Sequence, residues 1–285
     1  MCLLAFDWNP NPPRGTTTTT NTTTTTTTTT SSSNRRLIMA VNRDEYYNRP
    51  TDTAHFWNER PHIYASRDRV LGGTWLAVSQ TGRMAVLTNY HCKQDVGMKF
   101  PRSRGDIPVD FCDGTSSSMS AIDFAKELQQ RQGDYKGFNA VLFDGQTVVY
   151  CCNRCTTHFY HELPAGTYGL SNHLLDTPWP KVERTKHAVG KRLRPNMTRQ
   201  QMEAVLLEEF TNPERVEDER LIPNTLGKDL EKNLSAIFVQ GPNYGTRTTT
   251  ILSFDGRGFD VFEKNYETPC TKASSSYQRV DCLIQ

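Results

Sequence analysis

The sequence predicts an α+β fold in which β-hairpins in both halves of the chain are separated by helices. The strands are indicated by pairs of short apolar segments on either side of turn residues. Two such hairpins are formed by residues 75–79 with 83–88 and by residues 138–143 with 147–151. Further strand-like segments lie at 236–239, 248–254 and 259–262. This order of elements is typical of a layered α+β domain.

Three helices are predicted between the hairpins. The first begins at Ser120, which forms a capping box with Asp123, and ends before Gly133. The second covers about 179–193 and the third 198–210, because apolar residues recur there at helical spacing. Hairpins on both sides of these helices favour sheets that are covered by helix layers.

The chain starts with an apolar segment, residues 2–6, that is followed by a proline-rich stretch and is therefore predicted to be a strand. The next apolar segment, 37–41, is also strand-like, and we expect the two strands to pair. The connection between them holds an insert of almost pure threonine and serine at 16–34. Since the entropy of loop closure grows only logarithmically with length, such an insert is tolerated, and we expect it to be disordered.

The length of 285 residues allows one large domain or two small ones. We predict a single domain over residues 1–267, interrupted by the insert, and a flexible tail over 268–285. Lysine and arginine number 33 against 31 acidic residues, a net charge of +2 without runs of like charge. This balance does not favour a nucleic-acid partner.

No apolar segment approaches the roughly 18 residues that a transmembrane helix needs, and the first residues lack the features of a secretory signal. A cytoplasmic protein without a transmembrane segment is therefore expected. The eight cysteines are irregularly spaced and are expected to be mostly reduced. Cysteine and histidine recur every three residues between Cys152 and His161, but this spacing differs from that of structural zinc sites, and no metal site is predicted.

Cys2 is the most informative position of the chain. A small second residue favours removal of Met1, which would leave a cysteine with a free α-amine. Such a residue carries a nucleophile and a base, because the amine titrates near pH 7.7 to 8.0 and the thiol near 8.5 in model compounds. The alternative interpretation is a buried structural cysteine in a core strand.

Asn42-Arg43-Asp44-Glu45 follows the second predicted strand, so that strand pairing would bring this cluster close to Cys2. There, Arg43 would favour the thiolate, and Asp44 or Glu45 would hold an ammonium group or a substrate donor. The alternative interpretation is an ion-pair cluster on the surface.

Several motifs in order resemble the NRDE family, which is the transport and Golgi organisation protein 2 family. The motifs are Met1-Cys2-Leu3-Leu4, Asn42-Arg43-Asp44-Glu45 with Arg49-Pro50-Thr51, Gly72-Gly73-Thr74-Trp75, Leu87-Thr88-Asn89-Tyr90, Tyr168-Gly169-Leu170-Ser171-Asn172 and Asp176-Thr177-Pro178-Trp179-Pro180-Lys181. They cover nearly the whole chain outside the insert and the tail. The family in turn resembles cysteine-type N-terminal nucleophile hydrolases, such as penicillin acylases and bile-salt hydrolases.

That resemblance implies a four-layer αββα sandwich with two mostly antiparallel sheets between helix layers. It also implies catalytic roles for Cys2, Arg43 and Asp44, and an oxyanion-stabilising role for the side-chain amides of Asn89 and Asn172. The alternative for these asparagines is turn capping. Binding roles are expected for Asn42, Glu45, Trp75 and Arg247.

Two functions are open on the sequence. In the first, Cys2 attacks a small amide, ester or thioester without a required cofactor. In the second, the fold is a carrier, for which the family resemblance implies haem as a transported ligand or the handling of lipid and acyl-CoA, with possible association to mitochondria or Golgi. The partner is a small-molecule or lipid-like ligand in either case. A third function, an interaction protein of the secretory pathway, rests on the family's name alone.

Overall fold

The computed structural model describes residues 2–11, 17–22, 25–30, 35–114, 119–221, 227–267 and 273–283. The strands are β1 Cys2–Trp8, β2 Thr17–Thr22, β3 Thr25–Thr30, β4 Leu37–Tyr46, β5 Thr51–Trp57, β6 Arg60–Asp68, β7 Leu76–Ser79, β8 Met84–Asn89, β9 Phe138–Phe143, β10 Val148–Cys152, β11 Tyr160–Glu162, β12 Gly166–Leu170, β13 Tyr244–Phe254, β14 Gly258–Tyr266 and β15 Ala273–Asp281. The α-helices are α1 Asp106–Asp113, α2 Ala121–Gln130, α3 Pro180–His187, α4 Arg199–Phe210 and α5 Lys228–Leu234. A π-helical segment, Ala188–Arg192, continues α3.

Two large antiparallel sheets form the centre of the fold. One has six strands in the order β12-β1-β4-β13-β14-β15, and the other has seven in the order β11-β10-β9-β8-β7-β6-β5. The largest apolar cluster lies between them and includes Leu4 and Phe6 from one sheet and Val86 and Val141 from the other. The predicted pair of antiparallel sheets is therefore confirmed.

Helices cover the outer faces of both sheets. Phe111 of α1 and Leu128 of α2 pack on the seven-stranded sheet. Leu206 and Phe210 of α4 pack against Ala40 of the six-stranded sheet. Because side chains alternate along a strand, each inner strand supplies the central cluster with one face and a helix layer with the other. This arrangement confirms the predicted α+β fold with four αββα layers.

Strand β4 lies between β1 and β13 in the six-stranded sheet. It is longer than the sequence predicts, since it continues to Tyr46 and contains Asn42-Arg43-Asp44-Glu45 rather than preceding them. In its antiparallel pairing with β1, Arg43 lies opposite Cys2. A register irregularity between Thr246 and Thr248 of β13 lies next to the same residues of β4.

The structure differs from the sequence prediction within the threonine-rich insert. The described part of the segment 16–34 forms β2 and β3, which pair with each other. Within the described residues they join neither large sheet. Threonine is β-branched, a type of side chain that favours strands.

The segment 268–285, for which we predict a flexible tail, contains a strand in the part that the structure describes. Within the segment 268–285, β15 pairs with β14 as the edge strand of the six-stranded sheet. Val280 is fully buried, and Cys282 packs against the central cluster. The run of serines hides this strand, because only one face of an edge strand needs apolar residues.

The prediction of a strand at 236–239 is wrong. These residues are buried but form no ladder; they follow α5 and contact the sheet through single hydrogen bonds. The N–H of Val239 donates to the hydroxyl of Thr246 at 2.9 Å, and the side chain of Asn42 donates to the carbonyl of Ile237 at 2.9 Å. The apolar pattern therefore reports burial and not strand pairing.

Among the helices of the described residues, none combines the length and the apolar content that crossing a bilayer requires.

Gly73 brings the backbone before β7 into close contact with the start of α1. A Cβ atom built on Gly73 would lie 2.5 Å from the carbonyl carbon of Gly105. The N–H of Thr74 donates to the carbonyl of Gly105 at 3.1 Å. Since both contacts are between backbone atoms, a side chain at Gly73 has no room.

We expect Gly73→Ala to lower the free energy of unfolding by about 1 to 3 kcal/mol, the usual cost of overpacking. Gly133→Ala is the matched control, because a Cβ there would meet nothing within 4 Å. For this control we expect no loss or a gain of up to about 1 kcal/mol. Denaturant unfolding of the two variants checks the expectation, and equal stabilities would contradict the close packing.

Candidate active site

Cys2 is the first residue of β1 and is 8% exposed. Alternation along β1 places it on the same face as Leu4, toward the other sheet. Burial raises the pKa of its thiol, the carboxylates of Asp44 and Glu45 raise this pKa further, and the guanidinium of Arg43 lowers it. The thiol is therefore protonated at neutral pH unless a base accepts its proton.

Arg43 lies opposite Cys2 in the ladder and is 5% exposed. Its guanidinium carbon lies 4.2 Å from the ring centroid of Trp75, which precedes β7 in the other sheet. Its Nη2 is 3.9 Å from the Glu45 carboxylate. Burial is the main cause that lowers the pKa of this arginine, while the negative charge of Glu45 raises it.

The Nη1 atom of Arg43 is buried and has no hydrogen-bond partner within the described residues. A buried donor without a partner costs about 1 to 3 kcal/mol, so such donors are rare in folded proteins. A ligand oxygen that accepted from Nη1 would remove this cost. The arrangement thus fits an acceptor that binds between the sheets beside Cys2.

Asp44 lies on the face of β4 that is turned away from Arg43. Thr246 donates its hydroxyl to the Asp44 carboxylate at 2.7 Å. The buried Lys181, at the start of α3, donates to the carbonyl of Leu234 at 2.7 Å. Burial raises the pKa of Asp44 and lowers that of Lys181, and the charge of each partner opposes the shift of the other. The charge of Asp44 raises the pKa of the Cys2 thiol, and ionised Cys2 would raise the pKa of Lys181.

Asn172 lies beside Cys2 in the loop that follows β12. The hydroxyl of Ser171 lies 3.2 Å from the carbonyl oxygen of Cys2 and 3.3 Å from the side-chain oxygen of Asn172. The Asn172 side-chain nitrogen donates to the carbonyl of Asn89 at 2.8 Å. Its second hydrogen is not used in that bond and is available to a further acceptor.

The position of Asn89 differs from the one expected for an oxyanion donor. It ends β8, and alternation places it on the same face as Leu87, toward the helices and away from the Cys2 face. Asn89 contacts Asn172 through its main-chain carbonyl. We therefore assign it to the positioning of Asn172.

The side chain of Asn42, for which we expected a binding role, is fully buried on the helix side. Its nitrogen donates to the carbonyls of Phe210 and Ile237 at 2.8 and 2.9 Å, and Thr249 donates to its oxygen at 2.7 Å. These three bonds satisfy both side-chain hydrogens and one lone pair. Asn42 therefore joins a helix to the sheet.

The other residues with expected binding roles, Trp75, Glu45 and Arg247, contact residues of β4 or of the segment that follows it. Trp75 supports Arg43, and Glu45 lies 3.8 Å from the guanidinium of Arg49. Arg247 donates to the carbonyls of Tyr46 and Arg49 at 3.1 and 2.7 Å, which fixes the segment that follows β4.

Sequence reasoning missed three polar residues near Cys2. Lys181 and Thr246 interact with Asp44. Arg104 donates to the carbonyl of Gly137 at 2.9 Å; burial lowers the pKa of this arginine, and ionisation of Cys2 would raise it. Lys181 lies in a quoted motif, but nothing in the sequence marks it as a buried charge. Thr246 and Arg104 carry no local signal, because their role depends on contacts between distant elements.

Over the ranges that the structure describes, no group of three or more histidine, cysteine or acidic side chains is arranged to hold a metal ion. The segment from Cys152 to His161 lies within these ranges.

The fold and this site define a two-sheet αββα protein with a buried cysteine at the start of its first strand and a buried arginine opposite it on the neighbouring strand. The sequence profile of the Transport and Golgi organisation 2 family matches residues 1–268. The chain therefore belongs to this family.

Relatives agree with this assignment. The Transport and Golgi organization protein 2 homolog of Bos taurus is 31% identical over 285 residues, covering 92% of this chain and 91% of the relative. The homolog of Homo sapiens is 31% identical over 280 residues with the same coverage. The Drosophila melanogaster protein is 26% identical over 167 residues, which is 53% of this chain and 56% of that protein.

Two solved structures are similar to the chain. An N-acylethanolamine-hydrolyzing acid amidase ortholog from Caenorhabditis elegans has a TM-score of 0.42 and 10% identity over 90% of this chain and 93% of that one. A conjugated bile acid hydrolase from Clostridium perfringens has a TM-score of 0.41 and 8% identity over 100% of this chain and 99% of that one.

The charges around Cys2 predict opposite effects of two substitutions on its titration. Arg43→Met removes the charge that lowers the pKa of the thiol, so alkylation of Cys2 should begin at more alkaline pH than in the unsubstituted protein. Asp44→Asn removes a charge that raises this pKa, so alkylation should begin at lower pH. Peptide mapping after iodoacetamide treatment over a range of pH measures both shifts. Shifts of the same sign would contradict the described electrostatics.

Proposed function

We propose that the chain is a hydrolase with an N-terminal cysteine nucleophile that cleaves a small amide, ester or thioester. The observation that carries the proposal is the pairing of Cys2 with the buried Arg43, whose Nη1 has no partner within the described residues. The family profile matches residues 1–268 and so includes Cys2, which supports a role for this residue.

The proposed reaction starts after removal of Met1. The α-amine of Cys2 accepts the proton of the thiol, and the thiolate attacks the substrate carbonyl carbon, forming a carbon–sulfur bond. The oxyanion accepts hydrogen bonds from Asn172 and Arg43, and Asp44 holds the protonated amine. The amine then gives its proton to the leaving group, and water cleaves the acyl-enzyme and regenerates the thiol.

This proposal predicts that the mature protein lacks Met1 and that Cys2→Ala abolishes turnover of a p-nitrophenyl ester or a thioester. Loss of the nucleophile should reduce turnover to the background rate, because no other group forms the acyl-enzyme. Cys92→Ser is the control, since Cys92 is a partly exposed thiol outside the site. Intact mass and the steady-state rate are the measurements. Retention of Met1, or turnover in Cys2→Ala equal to that of the control, would contradict the proposal.

A second candidate function is the binding of an apolar ligand without chemistry, and one surface feature favours it. Tyr46, Val70, Leu71, Val96 and Met98 are large apolar residues that are each more than half exposed. Exposed apolar residues that occur close together mark binding sites more often than single ones do.

The exposed apolar residues lie on segments that border the site. Tyr46 follows Glu45, and the segment with Val70 and Leu71 is joined to Arg49 by the ion pair between Arg49 and Asp68 at 2.7 Å. Val96 and Met98 lie between Asn89 and Gly105, which contacts Gly73. A ligand with a lipid-like acyl chain fits this surface better than a polar one, and haem is the other apolar ligand under this candidate.

If the surface binds such a chain, the Cys2→Ala protein should bind a long-chain acyl-CoA saturably. Leu71→Ser with Met98→Ser should weaken that binding about tenfold or more, because each buried side chain contributes about 1.5 to 3 kcal/mol. Leu283→Ser is the control. Leu283 is 62% exposed and lies beside Gln80, which follows β7 at the end of the strand opposite to Trp75. Calorimetric titration that gave equal affinities for the variants would contradict this use of the surface, and titration with haemin separates the two ligands.

A further inference from the structure

Two cysteines that are distant in sequence from Cys2 lie at the end of β10. Cys152 is the last residue of β10, Asn153 and Arg154 form a turn, and Cys155 follows. The first and fourth residues of such a turn have Cα atoms less than about 7 Å apart. Disulfides join Cα atoms at about 4.4 to 6.8 Å, so the turn holds the two cysteines within bonding range.

The two thiols also share a side of the sheet. Cys152 belongs to the central cluster between the sheets, and Cys155 packs against that cluster. The neighbouring Cys151 belongs to the cluster on the helix side, as alternation along β10 requires. Cys155 is therefore placed to meet Cys152 and not Cys151.

The environments of the two thiols differ in a way that gives each a separate chemical role. Cys155 is partly exposed; burial opposes ionisation, but the Thr157 hydroxyl at 3.3 Å and the N–H groups of His158 and Thr157 bring the pKa of its thiol below the ordinary value. Cys152 is buried, which raises the pKa of its thiol, and its sulfur accepts the N–H of Arg154 at 3.4 Å. A partly exposed thiol with a lowered pKa and a buried thiol beside it match the arrangement of attacking and resolving cysteines.

The turn between the cysteines is held in place by its own side chains. The oxygen of Asn153 accepts from the N–H of Phe138 at 2.8 Å, and its nitrogen lies 3.2 Å from the carbonyl of Tyr135. Arg154 forms an ion pair of 2.7 Å with the buried Asp95. These contacts fix the spacing of the cysteines before any bond forms between them.

We propose that Cys152 and Cys155 form a reversible dithiol site that exchanges with a small-molecule disulfide of the glutathione class. The Cys155 thiolate attacks one sulfur of the disulfide, forms a mixed disulfide and releases the first thiol. The Cys152 thiol then loses its proton, attacks the Cys155 sulfur and releases the second thiol. The two protein thiols are oxidised to one disulfide, and the small disulfide is reduced to two thiols.

The experiment uses the full chain with Cys2→Ala, so that the proposed nucleophile does not compete. The protein is incubated with oxidised glutathione and, after denaturation, digested with trypsin without reduction; cleavage after Arg154 separates the two cysteines into different peptides. The proposal predicts that a disulfide joins these peptides at Cys152 and Cys155. Reduced glutathione in excess should reverse the link.

Three further variants assign the roles. Cys152→Ser should accumulate a glutathione adduct at Cys155 that the parent protein does not retain, because the resolving thiol is missing. Cys155→Ser should form neither the link nor an adduct at the buried Cys152. Cys151→Ser is the matched control and should form the same link as the parent.

An adduct at Cys155 that accumulates equally with and without Cys152 would overturn the proposal. A link that is lost in Cys151→Ser, or a Cys155 that stays unmodified while Cys92 is labelled, would do so too. Circular dichroism of each variant shows whether it folds, and the parent protein alone tests the link if a variant does not. The outcome is independent of catalysis at Cys2.

Discussion

The antiparallel pairing of β1 with β4 is the constraint on which the rest of the site depends. It places Cys2 opposite Arg43, and alternation turns both side chains toward the other sheet. A slip of one residue in this register would turn one of the two toward the helices. The stacking of Arg43 on Trp75 adds a contact from the second sheet, so the two sheets together fix the guanidinium.

The site separates its charges between two layers. Arg43 lies between the sheets, whereas Asp44 and Lys181 lie on the helix side near the same strand end. Burial makes each charge interact more strongly than it would in water. Cys2 lies at the strand end where the two regions meet, because β1 pairs with β4 there. The charges of Arg43 and Asp44 shift the pKa of its thiol in opposite directions. Small changes in this set therefore alter the pKa of the Cys2 thiol.

The sequence was sufficient to predict the layers and the pairing of the two strands that carry Cys2 and Arg43. Apolar alternation and turn residues identified most inner strands, and position 2 together with the motif at Asn42 to Glu45 identified the cluster. The direction in which each side chain points was harder to predict from the sequence. Asn42 and Asn89 are polar and belong to motifs shared with the family. The side chain of Asn42 nevertheless donates to main-chain carbonyls, and Asn89 contacts Asn172 through its main-chain carbonyl.

The errors have physical causes of the same kind. The strand β15 has an exposed, serine-rich face, and the buried segment 236–239 has the composition of a strand without a ladder. Lys181, Thr246 and Arg104 gain their place in the site from contacts between elements that are distant in sequence. Local sequence patterns indicate secondary-structure propensity and burial. Strand pairing and the distances between charged side chains depend on the whole fold.

The central claim is that Cys2 reacts through its own α-amine. The most direct measurement compares the acylation rate of Cys2 by an activated ester in two forms of the protein, one with a free amine at Cys2 and one that retains Met1. We expect rapid acylation at neutral pH in the first form and slow acylation in the second, because only the first has the base on the same residue. Equal rates in the two forms would contradict it.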